Sequence, residues 1–271
     1  MKVIESSIVG KSTHEDDCED GIFLSESFAA VIDGATDKSG KQYSGRTGGR
    51  LVMEICKSVL ADLAPDVSAR QAFSALTDAV DHELPDDLPL QERPSAVLAV
   101  YSSLRREIWQ LGDVAFWHSG VKPGGVRRRK MVDYFAEGVR AAVISANIAA
   151  GAEVFDLMRS DPGREVILPL LQLQGVFRNE LRSDEWGYGA LDGRPIPDDY
   201  IDIHSVPGYV DEIVLASDGY PVVLPSLAES EARLSELLKE DPLCIGPLRA
   251  TKGVQPGSRS YDDRAYVRIA V

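Results

Sequence analysis

The run Phe28-Ala29-Ala30-Val31-Ile32 constrains this chain most. Five consecutive apolar residues read as a strand buried on both faces, and this one ends in a charge, Asp33, followed by Gly34. Just ahead of it, Gly21 to Leu24 reads as a second short strand, with the turn-prone Ser25-Glu26-Ser27 between them, so the pair forms a hairpin. Glu19-Asp20 precedes that hairpin and is delivered beside Asp33. A carboxylate at the edge of a core costs several kcal/mol unless it is partnered or coordinates a cation. Carboxylates converging there call for a hard, oxygen-seeking ion, Mg2+ or Mn2+.

The pattern of an apolar strand tipped with aspartate recurs. Ser95 to Tyr101 and Glu107 to Leu111 read as β-segments joined by a turn around Ser103 to Arg106, and the second runs into Gly112-Asp113, followed by a strand over Val114 to His118. Glu212 to Ala216 is a further doubly apolar strand that ends in Ser217-Asp218-Gly219, and Asp262-Asp263 open the terminal strand Ala265 to Val271. Met1 to Ile8 and Asp199 to Val206 complete the β-type stretches. Any β-rich chain places Asp and Gly in turns. That alone does not account for this order and setting of the acidic ends.

Helical periodicity begins near Thr47, with Leu51, Ile55 and Val59 on one face, and repeats over Ser68 to Glu83 and Leu227 to Lys239. Met131 to Met158 has helical composition, and Glu165 to Arg182 holds another helix or two, with Pro169 near the start of a turn. Pro85 to Pro94 and Trp186 to Pro197 read as loops. With no Ser/Gly-rich linker, the 271 residues are expected to form one domain.

A net charge of −14 opposes nonspecific binding to nucleic acid and to anionic membrane. No apolar stretch is long and uninterrupted enough to span a bilayer. Cys18, Cys56 and Cys244 are odd in number and lack C-x-x-C spacing, which favours reduced thiols and a cytoplasmic setting. In the polar loop before the first hairpin, Lys11 and His14 are either phosphate ligands or plain surface groups. The run Arg127-Arg128-Arg129-Lys130 either steers an anionic substrate or is a solvated loop. The chain carries no G-x-S-x-G, no P-loop and no H-E-x-x-H.

In order, the set Glu19-Asp20, Val31-Ile32-Asp33-Gly34, Gly112-Asp113, Leu215-Ala216-Ser217-Asp218-Gly219 and Asp262-Asp263 resembles the metal-dependent type-2C protein serine/threonine phosphatase family over nearly the whole chain. The stretch from about 131 to 182 does not match. The resemblance implies an α+β fold, a four-layer αββα sandwich of two antiparallel β-sheets flanked by helices. It implies two Mn2+ or Mg2+ ions, with a third, weaker ion in many members, in a cleft at one end of the sandwich. By the same resemblance, Asp33 bridges the two ions, Gly34 offers its carbonyl, Asp218 and Asp262 complete the sites, Glu19 and Asp20 help directly or through waters, and Asp113 contributes with Asp218 to the third ion. The activity so implied is hydrolysis of phosphate monoesters, phosphoserine and phosphothreonine on proteins, by a water activated between two ions, with Asp33 and Asp218 acting catalytically through it.

Three positions depart from the family pattern. Glu15 stands where many members carry a phosphate-gripping arginine, Ala35 where some carry a histidine, and Val114 where the third motif usually has serine. Two alternatives follow: a catalytically weak phosphatase-like binding module, or a phosphatase of a small phosphorylated metabolite. The first motif has a second register, His14-Glu15-Asp16-Asp17, with Asp16 in the acidic role; Glu19-Asp20 is preferred because the apolar strand starts directly after it.

Overall fold

A computed structural model describes the chain except residues 13–17, 37–39 and 123, and the side chains of 182–184. Two antiparallel sheets dominate it. One has the order β2(Gly21–Leu24), β3(Phe28–Gly34), β6(Ala96–Ser102), β7(Glu107–Leu111), β9(Ile201–Ser205). The other runs β1(Lys2–Val9), β11(Arg264–Ala270), β10(Glu212–Ala216), β8(Ala115–His118), and a two-stranded ribbon pairs β4(Gln42–Tyr43) with β5(Arg46–Thr47).

The period of two along a strand sorts the layers. In β3, Phe28, Ala30 and Ile32 face the helices α1(Gly48–Asp62) and α2(Ala69–Glu83), joining Leu51, Cys56, Leu76 and Val80 in one core. Ala29 and Val31 face the second sheet, packing with Ile213 and Leu215 of β10 and Ala265 and Val267 of β11. Val214, Ala216 and Tyr266 point the other way, to a third core that Leu227 of α6(Leu227–Glu240) adjoins. Helices, sheet, sheet, helix: these are the four layers expected. Side-chain caps fix the helix starts. Thr47 accepts from Arg50 N at 3.3 Å, and Ser68 with Gln71 and Ser226 with Glu229 form capping boxes.

Between β8 and β9 lie α3(Met131–Ala149), α4(Val154–Arg159) and α5(Pro162–Leu173). The long helix expected over 131–158 stops at Ala150, where Gly151 takes φ +96°. Pro169 is not at a turn but inside α5, which starts earlier, at Pro162, capped by Asp161. Pro at the first helical turn and an Asp cap make a strong start signal. α3 and α5 pack together through Ala136, Ile167 and Leu171.

Among the described residues no helix is long and apolar enough to cross a membrane. The basic run 127–130 is not one patch: each side chain is tied to a different partner, and Arg129 stays largely in solvent. Arg127 donates to Tyr220 O at 2.7 Å, Arg128 to Asp199 O at 2.9 Å, and Arg129 to Glu137 at 3.2 Å. Only Lys130 of the four reaches the cavity described next.

Candidate metal and phosphate site

The strand parity that builds the inter-sheet core also aims its acidic ends. Asp33 continues the Ala29–Val31 face of β3, and Asp263 the Ala265–Val267 face of β11, so both come to the same end of the layer between the sheets. There they meet Ser217-Asp218, which follows β10. A cavity of about 370 Å³ opens at this end, with Asp33, Gly34, Asp113, Asp218, Asp262 and Lys11 on its wall. Glu19 and Asp20 lie behind that wall, 2% and 5% exposed. All seven expected metal residues are thus gathered in one region, together with Lys11. His14, and the alternative Asp16, lie outside the described residues.

Close backbone approach is what brings the segments together. A Cβ at Gly34 would stand 2.6 Å from both Glu19 O and Gly49 O, and one at Gly219 would overlap Asp263 O. Asp218 N lies 3.5 Å from Asp33 Oδ2, and the Tyr261 hydroxyl donates to Asp218 O at 2.7 Å. Asp263 accepts from Lys11 N at 2.7 Å, from Lys11 Nζ at 2.9 Å and from Glu19 N at 3.3 Å.

Burial and mutual repulsion dominate the electrostatics. Burial pushes the Asp33 carboxyl well above the ordinary range, reinforced by Asp218, Asp20, Asp113 and Asp262. Asp20 is pushed up by burial too; a hydrogen bond from Ser217 opposes this, and Asp262, Asp218 and Asp263 add to it. Asp218 is raised to about 7 by burial, Asp262 and Asp113. Asp262 goes the other way: burial works to raise it, but Lys252 and Lys11 overcome that and hold it low. Lys11 is held charged against its own burial by Asp262 and Asp263.

The donor set fits a hard divalent ion. Glu19 Oε1 and Asp20 Oδ2 are buried without a hydrogen-bond partner among the described residues, and Asp20 is one of the mutually repelling carboxylates. The side chains are gathered but not closed into a cage: among the described residues no three His, Cys, Asp or Glu groups form a ready ion site.

Sequence reasoning gave no role to three residues here. Asp263, rather than its neighbour alone, engages Lys11. Lys252 binds Asp262 Oδ1 at 2.7 Å from a loop after α6. Arg164 of α5 reaches the cavity wall, as does Lys130, which pairs with Asp133 at 2.9 Å and lies over the Tyr188 ring. A lone lysine in a Gly- and Pro-containing loop carries no local signal. Asp263 was legible in principle, since it shares the parity of the inward-facing residues of β11.

No protein-family model and no curated protein matches this sequence. Solved structures do match its fold. The catalytic domain of the serine/threonine protein phosphatase PstP in complex with two manganese ions superposes with a TM-score of 0.50 at 14% identity, covering 100% of both chains. A bacterial serine phosphatase gives 0.50 at 12% identity, covering 99% of this chain and 98% of its own. The Mycobacterium tuberculosis serine/threonine phosphatase PstP/Ppp gives 0.49 at 15% identity over 99% of this chain and 98% of that one. The chain therefore has the fold of bacterial serine/threonine phosphatases from end to end, as its motif order implied.

Proposed function

We propose that this protein hydrolyses phosphate monoesters with the help of divalent metal, Mn2+ or Mg2+, and that its substrates are phosphoserine and phosphothreonine on proteins. The observation that carries the reading is the convergence of Asp33, Asp218 and Asp262, from three distant stretches, on one cavity. The fold, shared over its full length with serine/threonine phosphatases, supports it. Glu19, Asp20, Asp33 and Asp218 would hold the metal through oxygen, with the Gly34 carbonyl, Asp113 and the lysine-paired Asp262 at its margin. Bound there, the metal lowers the pKa of a water and offsets charge on phosphoryl oxygens.

The chain's own residues divide the remaining work. The carboxylates form an acidic floor, while Lys130 and Arg164 form a basic wall of the same cavity and orient the anionic ester. Lys130 stays charged despite burial because Asp133 and Asp113 face it. Lys11 and His14 were the sequence's candidates for phosphate; of these, Lys11 has its ammonium group turned to Asp263. The buried free thiols of Cys18, Cys56 and Cys244 support a cytoplasmic setting.

Manganese-dependent turnover of p-nitrophenyl phosphate tests the reading. Asp33→Ala and Asp218→Ala are expected to reduce turnover to background; turnover that survives both removes the proposal. Faster release from phosphopeptides than from sugar or nucleoside phosphates is expected, and the reverse order makes a metabolite the substrate. One observation favours a second reading, a phosphatase-like binding module: two of the acidic groups already hold lysines. Binding of Mn2+ without phosphate release from any substrate would establish it.

A further inference from the structure

The acidic end of the sandwich is electrostatically divided. Lys252 Nζ donates to Asp262 Oδ1 at 2.7 Å, and Lys11 Nζ stands 3.8 Å from the same oxygen. Lys11 engages both oxygens of Asp263 through its own N and Nζ. On the other side, Lys11 Nζ comes no nearer than 3.9 Å to Glu19 Oε2, Glu19 Oε1 and Asp20 Oδ2 are more than nine-tenths buried and unpartnered among the described residues, and Asp33 and Asp218 are close enough to repel Asp20.

Lys252 is not a drifting surface side chain. Arg164 of α5 donates to Thr251 O at 2.9 Å, and Arg140 of α3 donates to Ala250 O at 3.1 Å, so these two helices hold the loop that carries it. The Asp262 side chain is only 20% exposed, and the Lys252 side chain 27%. Repulsion between an ammonium group and a second cation on the same carboxylate oxygen is weakly screened at such a place.

We infer that Lys252, seconded by Lys11, is a built-in counter-ion that stands in for one divalent ion at Asp262, so that this chain takes a single exchangeable ion, on the side of Glu19, Asp20, Asp33 and Asp218. The PstP neighbour, by contrast, is described with two manganese ions. The identity of the site rests on the phosphatase reading above; the ion count does not depend on catalysis. Helices α3 and α5 thereby acquire a function, which is to position a lysine.

Counting Mn2+ by titration calorimetry and by the loss of free-ion paramagnetic resonance tests this on the full chain. One ion per chain is expected for the wild type, two for Lys252→Gln, and one for Lys252→Arg, which keeps the charge. Two ions in the wild type, none, or a count indifferent to Lys252→Gln overturns the inference. Should Lys252→Gln fail to fold by thermal melting, the wild-type count still decides. Phosphate release is scored separately. One bound Mn2+ with no release removes the phosphatase reading and leaves this inference standing; release with two bound Mn2+ does the reverse.

Discussion

The two Asp-Gly pairs at the heart of the site look like turn signals in the sequence, yet neither Gly34 nor Gly219 has a positive φ. Glycine is required at both because another backbone comes too near for a Cβ: Glu19 and Gly49 at the first, Asp263 at the second. Gly34→Ala and Gly219→Ala are therefore expected to destabilise the protein by about 1–3 kcal/mol each, as overpacking does. Gly138, inside α3 with open space around its Cβ position, is the contrast: Gly138→Ala is expected to stabilise by roughly 0.5–1 kcal/mol. Urea midpoints of the three variants check the signs; a neutral Gly219→Ala would mean that the Asp218 and Asp263 segments are not pressed together. What the sequence disclosed at this scale was which residues matter. Why they must be glycine was not legible, because close approach is set by partners 15 positions away at Gly34 and 44 away at Gly219, whereas turn chemistry is local.

At the scale of elements, the strands were readable because β3, β6 and β10 are apolar on both faces, a pattern that only a layer between two others requires. The helices α3 to α5 were readable as helices but not as to purpose, since what they do runs through side chains that reach across the fold. Arg140 shows this. Nearly fully buried, it donates to Asp161 Oδ2 at 2.8 Å, Leu243 O at 2.8 Å, Cys244 O at 2.9 Å and Ala250 O at 3.1 Å, tying α3 to the cap of α5 and to the loop before Lys252. Arg140→Ala leaves buried carbonyls without donors and is expected to cost about 3 kcal/mol or more, read from urea denaturation. An unchanged midpoint would show that the loop holds its shape unaided.

Two histidines on neighbouring elements give a pH prediction at the same scale. His118 of β8 and His204 of β9 both pack on Phe116, with ring centroids 6.0 and 4.7 Å away. Burial pushes both below the ordinary imidazole range; for His118 the neighbouring His204 adds to it, and for His204 Asp202 opposes it. In the window between the lowered native pKa and the unfolded value of about 6.5, the unfolded chain binds more protons. Stability is then present above that window and lost as pH falls through it. The double variant His118→Gln, His204→Gln is expected to flatten the fall in urea midpoint between about pH 7 and pH 5, and an unaltered slope would assign that fall to other groups.

The whole molecule carries a net charge of −14 and concentrates part of it where solvent cannot screen it. Asp20, Asp33 and Asp218 are each opposed by burial first and then by neighbouring aspartates, Asp262 among them for all three, so the metal-free fold is maintained by its cores in spite of this end. A divalent ion that binds only the native state adds about 2.7 kcal/mol at a hundredfold excess over its dissociation constant. For a chain of this size that is a Tm rise of roughly 5–10 °C, and monovalent salt of equal ionic strength should not reproduce it. Asp33→Asn removes one repelling charge while keeping its shape. In chelator it is expected to raise Tm by about 2–6 °C, a stability gain of the kind that functional sites commonly forgo. In saturating Mn2+ the order should reverse, because the variant lacks the carboxylate that makes the ion worth binding. Thermal melts of the two proteins in chelator and in Mn2+ decide the matter: crossing orders mean that Asp33 is kept at the expense of the fold for what it binds, whereas a variant less stable in both buffers means that its carboxylate belongs to the architecture instead.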